Sequence, residues 1–427
     1  MDFPSHLEKY LTKEEIKALL QSLESNDVKH ALVLNTEKIS PSNFISEFPN
    51  IKPHPIVPNV FLYDSKEYSF GKHIYHELGY YYIFEPCSSI VSHLLNPTSE
   101  DTVLDIAAAP GGKSIHTSLL MKNEGILVSN EIQQARSFIL SSNVERMGRK
   151  NVVVTNNNID DLVKKYQNFF SKIILDAPCS GSGMFRKMET MKEDWTYQKV
   201  LSLASLQKDL LSKAYSLLQE GGTLVYSTCS FSYEEDEEVI ISLLNNSDAE
   251  LVTIPLFNGF YQSKSKIGIH LLPHLFDGEG HYICLIKKPL TSNLNSSNKE
   301  AKDNFKDIHE LINLDKGYIY KVNDTYYYLN KYIDTKGLHV IRGGLKLGTL
   351  EKYGFVYDHA LSHVISSINP VELTLEESKL YLEGNQLVKG CKDGNVTLTY
   401  QNNGIGFGKA SKNKINNKYP KGLRIKL

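Results

Sequence analysis

The sequence predicts an α/β fold with a Rossmann-like parallel sheet at its centre, a small α/β module before it and a β-rich region after it. Three observations predict this. Apolar strand-like runs at 103–106, 125–131, 152–155, 172–176 and 223–230 alternate with helix-length segments, the pattern of parallel strands joined by helical crossovers. The first run empties into Gly111 and Gly112, a tight turn of the kind that lets backbone approach a cofactor before a helix starts. Beyond a Ser/Asn/Lys-rich stretch at 291–305 the pattern changes to short β-type runs.

The elements follow in order. The chain has 427 residues, enough for two or three domains. Residues 11–23 space their leucines and isoleucine helically behind Thr12 as a cap, 31–34 read as a strand, and Ser40 with Pro41 opens a second helix. Residues 1–65 are thus expected to form an N-terminal α/β module. The central domain is expected over 66–290. Glu131 ends its second strand, where sheets of this wiring hydrogen-bond a ribose hydroxyl. Asp176 ends the fourth strand and leads into Pro178 and Cys179, a helix spans 200–218, and Cys229 closes the next strand. Five acids at 234–238 begin the following helix at its positive end. Residues 291–305 read as a linker and 306–427 as the β-rich region.

Composition narrows the class. No apolar run is long enough to cross a bilayer, and the amino end lacks a secretion signal, so a cytoplasmic protein is expected. Five cysteines, none spaced as Cys-x-x-Cys, imply reduced thiols and no bound metal. The net charge of −2 hides a tail, 409–427, with seven basic residues and no acid. That tail is a candidate phosphate-contacting segment.

Cys179 and Cys229 each follow a buried strand, so a parallel sheet should bring both into the crevice beside the Gly turn. An attacking thiol needs such exposure to become a thiolate. A dehydrogenase reading of the Gly turn gives these cysteines no task and lacks the Gly-x-Gly-x-x-Gly spacing.

Ala107, Ala108, Ala109, Pro110, Gly111, Gly112 and Lys113, then Glu131, then Asp176 with Pro178 and Cys179, then Cys229 together resemble the Sun-type RNA (cytosine-5) methyltransferases. Within them the chain is most similar to the RsmF-like branch that modifies small-subunit (16S) ribosomal RNA. Gly278–His281 and the basic stretch at 417–424 look like that branch too. The resemblance implies a methyltransferase domain that uses S-adenosyl-L-methionine, a PUA-like carboxyl region, and an RNA-binding amino module. It also implies ribosomal RNA as partner, naked or in an assembled 30S subunit, with neither DNA nor membrane. It places residues 107–113, Glu131, Asp176 and Asn158 around the cofactor. Cys229 would add to carbon 6 of the cytosine and Cys179 would assist product release. Asp176 would act at ring nitrogen 3 as a general acid, which requires a high affinity for its proton, and Pro178 would shape the turn. Arg186 and Lys187 would lie at the mouth of the site, where phosphate contact or a solvated pair are the alternatives. The chain departs from the family at Phe84, Asn158, Ser182 and Leu272. A catalytically silent, ribosome-associated RNA-binding protein is the alternative function.

Overall fold

Strands β1 (His30–Leu34), β2 (Lys52–Pro53), β3 (Val60–Tyr63) and β4 (Tyr81–Phe84) form an antiparallel sheet in the order β2-β3-β1-β4. The computed structural model describes residues 2–25, 28–291, 305, 308, 312, 314, 317–352, 354–365 and 369–425. Because β4 pairs with β1 from Ala31–Phe84 to Leu34–Tyr81, this first unit runs past the boundary expected at residue 65. The opening helices are not part of it. Lys13–Glu24 starts at a reciprocal Thr12/Glu15 capping box, as its sequence signature predicts. Yet Leu7, Tyr10, Leu11, Ile16 and Leu19 pack with Phe231 and Leu272 of the central domain. Leu272, one of the departures from the family pattern, is therefore fully buried filling.

The central sheet carries parallel strands β5 (Thr102–Asp105), β6 (Ile126–Asn130), β7 (Val152–Thr155), β8 (Phe170–Asp176) and β9 (Leu218–Thr228). Antiparallel additions β10 (Glu250–Val252), β11 (Phe260–Tyr261), β12 (Ile269–Leu271) and β13 (His281–Lys287) extend one side. Residues 102–105, 126–130 and 152–155 are almost wholly buried, because crossover helices cover both faces and leave no solvent side for polar alternation. The order runs β11-β12-β13-β9-β8-β5-β6-β7. It reverses between β5 and β8, and that switch point opens the crevice at the carboxyl ends of the strands.

The carboxyl region is more divided than expected. β14 (Tyr318–Val322), β15 (Thr325–Leu329), β17 (Leu345–Glu351) and β18 (Gly354–Tyr357) make one sheet, while β16 (Val340–Gly343) leaves it and pairs antiparallel with β7 as the last strand of the central sheet. A second sheet of β19 (Pro370–Glu372), β20 (Leu387–Val388), β21 (Gly394–Tyr400), β22 (Asn403–Ser411) and β23 (Lys414–Asn417) follows. It shares a core with the first module, Val371, Tyr381 and Leu398 packing with Leu32, Phe44 and Tyr81. Residues 292–304 of the expected linker lie outside the described residues. No helix among the described residues is long and apolar enough to cross a membrane.

Candidate active site

The loop after β5 is threaded between its neighbours: Ile106 N–H donates to the Ile174 carbonyl at 3.0 Å and Ala108 N–H to the Asn130 carbonyl at 2.8 Å. Gly111 adopts φ +121°, a conformation side chains disfavour, and the helix Gly112–Leu120 begins there without a side-chain cap. Its first turn therefore faces the crevice with N–H groups available to a ligand. Two buried acids stand beside this turn. Glu131 accepts Gln133 N–H through Oε1 at 2.9 Å, while Oε2 has no hydrogen-bond partner and only a 3.4 Å ion pair with Arg136. Asp105 accepts the Ser114 hydroxyl at 2.7 Å and leaves Oδ1 unpartnered. Burial pushes the Asp105 carboxyl up to about 7. Orphaned buried oxygens at the carboxyl edge of the sheet are what a cofactor with hydroxyl and amino groups would satisfy, so residues 107–113 and Glu131 fit S-adenosylmethionine.

Asn158 is engaged locally. It is exposed, and its side-chain oxygen caps the helix Ile159–Lys165 by accepting Asp160 N–H at 3.1 Å. Asp160 faces away, paired with Lys213 at 2.8 Å. Two residues that sequence reasoning missed complete the turn. Arg136 donates to the Ala109 carbonyl at 2.6 Å and spans to Glu131. Asn130 bridges the carbonyls of Ile106 and Asn157 and accepts the Thr155 hydroxyl. An acid followed by a basic residue five positions on was the one available signal for Arg136; Asn130 gave none.

Across the switch point, Lys113 Nζ donates to Asp176 Oδ2 at 2.8 Å and to the Ser88 hydroxyl at 2.9 Å. Asp176 Oδ1 accepts the Ser227 hydroxyl at 2.7 Å and lies 3.5 Å from His281 Nε2. Burial works against the charge on Asp176, but Lys113 and His281 outweigh it and hold the carboxyl well below the usual carboxylate range. The expected high proton affinity of Asp176 is thus not met; the proton resides on Lys113, whose own affinity is raised, Asp176 outweighing burial.

Cys179 and Cys229, half-buried, stand at the ends of adjacent strands with their sulfurs 3.0 Å apart and no disulfide between them. The contact with Cys229, then burial, push the Cys179 thiol well above its usual range. Pro178 is exposed on the same turn, its carbonyl held by Gln207 at 2.8 Å. Ser182 accepts Phe231 N–H at 2.8 Å, so it binds the two turns together. Gly183 lies so close to the Cys229 carbonyl that an added Cβ would sit 2.9 Å away. Phe84 packs edge-on to His116 and lines the approach to Gly112.

Two charge expectations need correcting. The acids at 234–238 do not all begin the helix, which spans Glu237–Asn246, and Glu234, Glu235, Asp236 and Glu237 are each buried. Thr228 donates to Asp236 at 2.6 Å, and Glu237 meets His270 at 3.0 Å. Burial, then the charge of Glu237, push the Asp236 carboxyl well above its usual range. Arg186 is neither a phosphate contact nor solvated, since its side chain is 5% exposed and pairs with Glu279 at 3.0 Å, with Lys187 at 3.5 Å on the same acid.

The model of the family described as 16S rRNA methyltransferase RsmB/F matches residues 92–287, and that described as methyltransferase RsmF PUA domain matches 368–425. Ribosomal RNA small subunit methyltransferase F of Vibrio parahaemolyticus is 30% identical over 437 residues, covering 93% of this chain and 91% of that one. Its counterpart from Shewanella piezotolerans is 30% identical over 459 residues, covering 99% and 95%. A methyltransferase homolog protein from Pyrococcus horikoshii superposes with a TM-score of 0.59 at 28% identity, over 66% of this chain and 93% of that one. NSun6 from the same organism, solved with SFG, gives 0.61 over 67% and 98%, and at 20% identity it bears on the fold alone. Joined to the switch-point crevice, the cofactor turn and the paired thiols, these likenesses establish that the chain belongs to the RsmB/F family of 16S rRNA methyltransferases and is an S-adenosylmethionine-dependent RNA methyltransferase.

Proposed function

We propose that the chain methylates carbon 5 of cytosine in small-subunit ribosomal RNA, with Cys229 as nucleophile and Cys179 as the base that frees the product. One observation carries this reading: two free thiols 3.0 Å apart at adjacent strand ends, beside the Lys113–Asp176 pair. A silent RNA-binding protein has no use for that pair. Residues 107–113, Glu131 and Asp176 would hold S-adenosylmethionine, which supplies the methyl group when bound; Asn158, occupied as a helix cap, is a weaker adenine contact.

The Cys229 thiolate forms a bond to carbon 6, and the ring's electron pair moves onto carbon 5, making it nucleophilic. Ring nitrogen 3 gains a proton or hydrogen bond from the Lys113–Asp176 pair, in which the ammonium carries the proton. After methylation Cys179 takes the proton from carbon 5, the carbon–sulfur bond breaks, and its electrons return to Cys229. Contact with Cys229 and burial hold Cys179 as a thiol, so it must first release its own proton to solvent; the thiolate then formed is a strong base for that step. The base must be unstacked to reach the crevice, which favours a loop or opened helix. The substrate is naked RNA or an assembled 30S subunit, met in the cytoplasm.

Bisulfite sequencing of small-subunit ribosomal RNA from cells with and without the protein tests this. A cytosine that loses protection in the knockout, and stays unprotected when Cys229→Ala is supplied, is the expected result. Full protection restored by that variant would overturn the proposal.

A further inference from the structure

Glu235 is fully buried, and its two oxygens take four hydrogen bonds. Oε1 accepts Ser180 N–H at 2.8 Å and Gln207 Nε2 at 3.1 Å; Oε2 accepts the Ser230 hydroxyl at 2.6 Å and the Ser180 hydroxyl. Ser180 directly follows Cys179, Ser230 directly follows Cys229, and the two hydroxyls are 3.2 Å apart. Gln207, on the helix Tyr197–Leu217, also holds the Pro178 carbonyl. One carboxylate thus joins the turn after β8, the turn after β9 and the helix that connects the two strands. A buried carboxylate is costly unless its lone pairs are filled, and once filled it forms charge-assisted bonds stronger than neutral ones.

We infer that Glu235 is a positioning residue for the methyl-transfer reaction: without touching a reacting atom, it sets the separation of the Cys229 and Cys179 sulfurs by clamping the residue that follows each. The inference rests on the thiol roles proposed above. Ser182 links the same turns from the other side through Phe231 N–H, so loss of the clamp should loosen the thiols without dissolving the turns.

Steady-state kinetics of Glu235→Gln on ribosomal RNA test it. The amide keeps the shape, and the serine hydroxyls can rotate to accept from it, so the fold should persist. The expected result is a kcat lowered by about 100-fold, the size of effect an ångström-scale misplacement causes, with KM for RNA and for the methyl donor within about twofold. The negative charge of Glu235 adds to the hold of Cys179 on its proton, so the pH limb for adduct breakdown should also move to lower pH. A purely structural residue would move neither the kcat-to-KM split nor that limb. Should Glu235→Gln not fold, Ser180→Ala, Ser230→Ala and their double variant replace it. Acting through one carboxylate, their effects on kcat should fall well short of multiplying. A Glu235→Gln enzyme with wild-type kcat, a loss of donor binding equal to the loss of kcat, or strictly multiplicative serine effects would overturn the inference. An active Cys229→Ala enzyme would instead sink the thiol mechanism, which separates the two failures.

Discussion

Removing the Lys113 ammonium, as in Lys113→Met, should destabilise the protein in a pH-dependent way that can be worked from the site. The Lys113–Asp176 contact is 2.8 Å, with side chains 10% and 32% exposed. At an effective dielectric constant near 20 the gross attraction is about 6 kcal/mol, most of it offset by desolvation. Deleting one partner of a buried pair typically costs about 3–5 kcal/mol. Because Asp176 is nearly one-third exposed and keeps Ser227 and His281, the lower end, about 3 kcal/mol at pH 7.5, is expected. The sign with pH follows from linkage. In the wild type Asp176 titrates below its unfolded value, so its contribution is present above about pH 4 and is lost as pH falls through the folded value. In the variant, burial raises the carboxyl instead, so its contribution is present at low pH and is lost as pH rises. The stability gap should therefore widen between about pH 4.5 and 7.5, by at least about 1 kcal/mol. Urea unfolding followed by the fluorescence of Trp195, the single tryptophan, measures it. A gap below about 1 kcal/mol, or one constant across that range, would refute the assignment of Lys113 as the counter-charge.

Glu131→Gln should weaken S-adenosylmethionine binding by about 10–100-fold by calorimetry, the worth of a hydrogen bond to a charged group, while RNA affinity stays unchanged. Arg136→Ala, removing the strut between Ala109 and Glu131, should weaken the cofactor by about threefold to tenfold in the same titration. Gly79→Ala places a Cβ 2.0 Å from the Arg146 carbonyl at φ +67°, and should cost about 3 kcal/mol of stability in denaturant melts through strain and overpacking. Replacing Lys409, Lys412 and Lys414 with Gln should flatten the salt dependence of RNA binding by about 0.7 in log–log slope for each phosphate contact removed; an unchanged slope would mark these lysines as solvated only.

The parallel core was readable because 103–104, 126–128 and 152–154 must be apolar on both faces, and because small residues follow the ends of β8 and β9. The thiols were readable for the same reason: strand ends at a switch point converge whatever the intervening sequence. What was not readable depends on partners distant in sequence. The acids at 234–238 carry the local marks of a helix start, yet Ser180, Thr228, His270 and Lys9 draw them inward. Arg186 has an ordinary surface composition around it until Glu279 arrives from 93 residues away. The opening helices are amphipathic on their own account, and amphipathicity says that a face is buried without saying against what. Asp176 illustrates the limit for chemistry: its family role suggests a proton donor, but its charge state is decided by Lys113 and His281, which only the fold brings within reach.

The pairing of Val340–Gly343 with β7 also bears on how the enzyme is made. A nascent chain emerging from the ribosome completes β7 at Thr155 and then leaves that flank of the sheet bare until Gly343 appears. At ordinary synthesis rates the delay is roughly 10–40 s, for about 190 residues. Throughout it, a row of free backbone donors and acceptors is offered to any other extended segment nearby. In the completed fold β16 is what closes that flank. Versions of the enzyme cut down to the segment 92–287 should aggregate as they are translated, however sound their catalytic residues.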